Sequence, residues 1–140
     1  MLKIAFLFLT ISSAYHEQLW SDFFSGHDDQ YTIYVHAKND IPESSLLYPY
    51  RIADTLPTSW SNTMRAQIAL LKEALKDPDN DKFVFVSEST IPLATFETVH
   101  QRLTCTPLSI FMYRPNPHVI AGSDTFDRTR DLQPLPHDQQ

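Results

Sequence analysis

The chain has 140 residues, 42% apolar and 12% aromatic, with a formal charge of −6. That length and apolar content suffice for one packed domain, and 11 scattered basic residues exclude nucleic acid as the main partner, because phosphate binding needs clustered Lys and Arg. A single cysteine, Cys105, excludes an internal disulfide and a cysteine-rich zinc site, and only two glycines exclude Gly-rich phosphate cradles.

The opening run, Leu2 to Leu9 ending at Thr10, reads as a buried first strand. A secretory signal with Ser12-Ser13-Ala14 as its cleavage site is the competing reading. The strand is preferred because a helix over residues 14–24 continues from it, as in a βα unit. Ser12 or Ser13 is available to cap that helix, and Leu19, Trp20, Phe23 and Phe24 form its apolar side. After a turn at Ser25–Asp29, the β-branched and aromatic run Tyr31–His36 predicts a second strand. Asn39–Pro49 reads as a loop, and a short third strand is expected near Tyr50–Ile52. Met64, Ile68, Leu71 and Leu75 recur at helical spacing within a helix over Ser61–Lys76, with Ser59 or Ser61 as N-cap. Asp77-Pro78-Asp79-Asn80 stops that helix.

Phe83–Val86 is a continuous apolar run of the kind covered on both faces of a sheet. Thr95 can cap a helix over Phe96–Leu103, and Leu108–Tyr113 predicts a fifth strand. From Arg114 the Pro-rich chain to Gln140 predicts an irregular tail, giving a first domain over 1–113 and a tail over 114–140. The order β-α-β-(β)-α-β-α-β argues for an α/β fold, a mostly parallel sheet with helices on both faces. No stretch approaches the ~18 apolar residues of a membrane span. The expected location is therefore cytoplasmic or peripheral to a membrane.

In an open α/β sheet, ligands bind beyond the carboxyl ends of the strands. Those ends are Thr10, His36 and Ser87-Glu88-Ser89, all polar after apolar runs. Glu88 can bind a metal, accept sugar hydroxyls or act as a base, and spacing does not choose between these roles. Trp60, before the long helix, either packs on the sheet or walls a sugar ring. His27-Asp28-Asp29 reads as a solvated turn, and no HExxH or CxxC spacing supports a metal centre. Cys105 reads as a buried structural thiol without a catalytic partner.

Several ordered stretches resemble the core-2/I-branching β-1,6-N-acetylglucosaminyltransferase family. They are Lys3–Thr10, Leu19–Phe24, Tyr31–His36, Ser59-Trp60-Ser61 with the following helix, Asp77-Pro78 with Asn80, and above all FVFVSESTIPL at Phe83–Leu93. The resemblance runs over roughly residues 3–113 and covers the N-terminal portion of the family domain. It implies a GT-A-like, Rossmann-type sheet that binds a nucleotide sugar at its carboxyl edge. Ser87-Glu88-Ser89 then stands where other GT-A enzymes carry a metal-holding Asp-X-Asp, and the family is metal-independent, so neither metal nor other cofactor is expected.

The implied donor is UDP-GlcNAc or a related UDP-sugar, the acceptor a glycan hydroxyl, and the transfer inverting. Thr10, His36, Trp60, Ser87, Glu88 and Ser89 are the implied donor-binding residues. Animal relatives carry Asp where His36 stands. The glutamate base and the diphosphate-binding cations belong to a part of the family domain that would follow Tyr113. Two readings compete with a working enzyme. One is a catalytically inactive remnant that binds UDP-sugar or self-associates through an exposed apolar face. The other, a flavodoxin-like domain, lacks the acidic cluster a receiver needs at the first strand end.

Overall fold

A computed structural model describes residues 2–59 and 62–110. Strands β1 (Lys3–Thr10), β2 (Tyr31–Ala37) and β3 (Asn80–Ser87) form a parallel sheet in the order β2-β1-β3. Helices α1 (Glu17–Phe24) and α2 (Met64–Ala74) make the two crossovers, and α3 (Phe96–Thr104) follows β3. This is the expected α/β, parallel, Rossmann-type arrangement. Met1–Pro107 is one compact unit. Of the unit beginning at Leu108, residues 108–110 are described and carry no strand, so this part of the expected fifth strand is absent. Positions 111–113 and the expected tail over 114–140 lie outside the described residues, as does Trp60.

β1 is central, which explains why both of its faces are apolar. Ile4, Phe6 and Phe8 point to one side and Ala5 and Leu7 to the other, all at most 2% exposed. The first side meets α1 and α3 in an aromatic cluster. Trp20 packs edge-on against Phe8 with ring centroids 5.1 Å apart, and Phe23 meets Phe96 at 5.3 Å. The second side takes α2 through Leu70 and Ala74. Helices therefore cover both faces, as the element order requires.

Several local expectations are overturned. α1 starts at Glu17 rather than near residue 14, and His16 at its N-cap makes no side-chain cap bond. Ser12 is not free to cap because its hydroxyl donates to Asp40 O at 2.8 Å. Leu19 is exposed, so the buried side of α1 is Trp20, Phe23 and Phe24 alone. The expected strand at Tyr50–Ile52 reduces to a 3-10 turn, Tyr48–Tyr50, and one parallel bridge from Arg51 to Val35.

α2 begins at Met64 with Thr63 at its N-cap, while Ser59 bridges Asn62 instead of capping. Its periodic residues Met64, Ile68 and Leu75 are exposed, and Ala66, Leu70 and Ala74 are buried. The small side chains let the helix approach the sheet closely, leaving the bulkier stripe outward. Nor is β3 covered on both faces: Phe85 is 49% exposed, because among the described residues β3 is an edge strand that pairs only with β1. Cys105 is exposed rather than buried.

Other readings hold. Thr95 caps α3, its side chain accepting from Thr98 N–H at 3.4 Å. Asn80 explains the abrupt stop of α2, since its Nδ2 donates to Ala74 O at 2.8 Å and its Oδ1 accepts from Thr32. Gly26 occupies φ +82°, the left-handed conformation that the turn after α1 needs. Among the described residues no helix is long and apolar enough to cross a membrane.

Candidate functional site

The loop after β1 leads to α1 on the aromatic face, whereas the chain after β2 leads to α2 on the other. Chain paths thus diverge beyond the carboxyl ends of neighbouring strands, the position where open α/β sheets bind ligands. The strand ends are level. Leu9 pairs with His36 on one side and with Ser87 on the other. Strand spacing then puts the His36 and Ser87 backbones about 10 Å apart across β1.

Glu88, one residue beyond β3, spans the gap to the β1–α1 loop. Its Oε2 accepts the Ile11 N–H at 2.7 Å, its Oε1 accepts the Tyr15 hydroxyl at 3.3 Å, and its carbonyl accepts the Tyr15 N–H at 2.9 Å. Three bonds from one residue fasten the β1–α1 loop to the end of β3. Thr10 joins the same arrangement: it is 5% exposed, and its hydroxyl donates to Ser12 O at 2.6 Å. The Thr10 and Ile11 carbonyls accept from Lys38 and Asn39, so the loop after β2 is held too.

Ser87 and Ser89 turn inward on their own segment. Ser87 Oγ lies 2.8 Å from Thr90 Oγ1 and 3.4 Å from Ser89 Oγ, and the Thr90 N–H donates to Ser87 O at 3.1 Å. Thr90 O accepts the indole N–H of Trp20 at 3.1 Å, anchoring the turn in the aromatic cluster. The local reason for Ser-Glu-Ser-Thr is therefore a self-bonded turn that presents Glu88 to the neighbouring loop.

His36 sits on the α2 side with no exposed surface. Its Nε2 accepts the Leu56 N–H at 2.9 Å, and its Nδ1 has no partner among the described residues. Burial lowers its pKa against two backbone hydrogen bonds that raise it. In the neutral ring that accepts at Nε2, the proton is on Nδ1. The structure thus brings Thr10 and Glu88 together on the α1 side and sets His36 and Ser87 level on the other.

Sequence reading missed Tyr15, Leu56 and Glu17. Glu17 holds the far loop by accepting from Ser45 Oγ and from the Leu46 N–H at 3.2 Å. No motif signals these, because each contact joins segments 20 or more positions apart. An open depression of about 580 Å³ lies elsewhere, between α1 and the start of α3, and contains none of the expected donor residues. There His27 belies the solvated-turn reading. Its ring stacks on Phe96 at 4.4 Å and its Nε2 meets Glu97 Oε1 at 3.1 Å. Among the described residues no three His, Cys, Asp or Glu side chains gather to hold a metal ion.

A parallel Rossmann-type sheet with helices on both faces and a polar clamp at its carboxyl edge defines the class: an α/β protein of the GT-A-like kind. The particular family follows from comparison. The family model described as Core-2/I-Branching enzyme matches residues 4–122, and the chain belongs to that family, one of glycosyltransferases. Among curated proteins it is similar to Glycosyltransferase BC10 of Oryza sativa subsp. japonica. That similarity is 31% identity over 103 residues, or 67% of this chain, which spans only 26% of the relative's length. No solved structure matches the chain.

Proposed function

We propose that this chain forms the donor-binding edge of a glycosyltransferase. It takes a UDP-sugar, UDP-GlcNAc or a close relative, for metal-independent, inverting transfer to a glycan hydroxyl. The observation that carries the reading is the Glu88 clamp: one carboxylate ties the β1–α1 loop to the end of β3 on the ligand edge of the sheet. Thr10 and Glu88 shape the donor site from that side, the Ser87–Ser89 turn closes it at the end of β3, and Ser87 stands level with His36 across β1. His36 offers its Nδ1–H, unpartnered among the described residues, on the other side while its Nε2 accepts the Leu56 N–H. Trp60, quoted in the family resemblance, completes the proposed set.

Inverting transfer needs a base on the acceptor hydroxyl and positive charge on the leaving diphosphate. The chain spans 26% of its relative's length; a second reading of the same edge is donor binding without turnover. Calorimetry of the full chain with UDP, with and without a metal chelator, tests both readings. Saturable binding unaffected by chelation is expected, weakened by Glu88→Ala and by His36→Ala. No heat with UDP at millimolar concentration sinks the donor-site reading, since even that affinity is worth about 4 kcal/mol. Hydrolysis or transfer of UDP-GlcNAc by the chain alone decides for the enzyme over the binding module.

A further inference from the structure

The chain that leaves β2 returns beside it before entering α2. Arg51 bridges Val35 in parallel, and the Ile52 N–H donates to Val35 O at 2.9 Å. From there to Thr58, the one hydrogen bond among the described residues runs from the Leu56 N–H to His36 Nε2, at 2.9 Å. The sequence makes that amide the available tie, because the following Pro57 has no N–H and keeps Leu56 extended. The acceptor is a titratable ring with no exposed surface.

We propose that His36 and Leu56 form a pH-released latch on this segment, closed while the ring is neutral and open once it is protonated. An imidazole nitrogen accepts a hydrogen bond only through a free lone pair, and in the imidazolium both nitrogens carry hydrogen. Protonated His36 therefore sets its Nε2–H against the Leu56 N–H, donor to donor, and the segment moves away. Burial disfavours the charged ring and holds its pKa below the ordinary 6.5, so the latch opens in mild acid and stays closed at neutral pH. Charged groups on the surrounding elements are engaged elsewhere. Arg51 lies over the Tyr48 ring at 4.0 Å, Lys76 pairs with Glu73 and feels Asp54, and Glu88 is turned to the β1–α1 loop. The Tyr34 hydroxyl accepts from Asn80, and Lys38, Arg65 and Lys72 make no bond to the ring among the described residues. The released stretch leads in sequence to Trp60 of the proposed donor set, which makes proton uptake a means of regulating that edge. This last step alone rests on the donor-site reading.

Amide exchange of the full chain between about pH 7.5 and about pH 5, corrected for intrinsic rates, tests the latch. Protection at Leu56 is expected to fall as pH drops, by up to about tenfold per pH unit, the limit for one proton. Protection at Ile52, tied to Val35 O, is expected to hold over the same range, which separates latch opening from unfolding. His36→Gln supplies an amide oxygen that does not titrate, and should keep Leu56 protection level with pH. In the unaltered chain, nitrogen-15 shifts of the His36 ring should titrate with the same midpoint as the Leu56 loss, a readout that holds even if His36→Gln disturbs folding. Constant Leu56 protection in the unaltered chain overturns the proposal. So does a parallel loss at Ile52, an identical loss in folded His36→Gln, or a ring midpoint that does not match. UDP takes no part in these measurements, so failure here leaves the donor-site reading standing.

Discussion

The two faces of the sheet are both lined by apolar residues and end in different states. On the α1/α3 face, six aromatic rings interlock around Phe6, Phe8 and Trp20, and the cluster is closed to solvent. On the α2 face the contact is made by Ala5, Leu7, Leu70 and Ala74, small or medium side chains, with an apolar stripe left outside. Hydrophobic periodicity marks a helix equally well in both cases. Which residues of the stripe are covered depends on the partner surface, and β3 at the edge offers α2 little of it.

The faces should therefore differ in tolerance to truncation. The largest effect is expected for Trp20→Ala, which empties a site only 3% exposed and removes the indole bond to Thr90. A loss of about 3–5 kcal/mol is expected in urea unfolding. A loss under half that would mean that the aromatic face is not the main core. Next, Leu70→Ala, fully buried, should cost about 2–4 kcal/mol, and Ile68→Ala, 45% exposed two positions away, well under half as much. Equal costs would show that the outward stripe of α2 is covered in solution, and would break the contrast between the faces.

Glu88→Ala deletes two acceptor contacts of a surface carboxylate, worth about 1 kcal/mol together. Its distinctive sign is faster amide exchange at Ile11 and Tyr15; unchanged exchange there removes Glu88 as the loop clamp. The gentlest effect is a pH slope from His36. Burial holds the folded ring below its ordinary value of 6.5, so the unfolded chain takes up a proton first as pH falls. The contribution is fully present above about pH 6.5 and is lost as pH drops toward the lowered folded value. Urea midpoints at about pH 7.5 and 5.5 should differ more for the native chain than for His36→Gln. Equal slopes would sink the assignment.

Much of the fold was legible because strands and helices announce themselves locally. Lys3–Thr10 and Tyr31–Ala37 appear within one or two residues of the expected strands, and Thr95 caps α3 as its position suggests. The candidate edge was legible too, since Thr10, His36 and Ser87 each close an apolar run, and Leu9 pairs level with both His36 and Ser87. Helix starts were less so. Ser12, Ser59 and Ser61 are all plausible caps by type, but Ser12 bonds to Asp40 and Ser59 bridges Asn62.

By itself, the sequence determined the order of elements, the parallel α/β class, the polar strand ends and the family, because these rest on periodicity, chain order and matched motifs. Only the tertiary structure decided what Glu88 touches, which stripe of α2 is buried, and that His36 is spent on Leu56. Those outcomes depend on contacts between segments far apart in the chain, and on the close approach that Ala66 and Ala74 permit between helix and sheet.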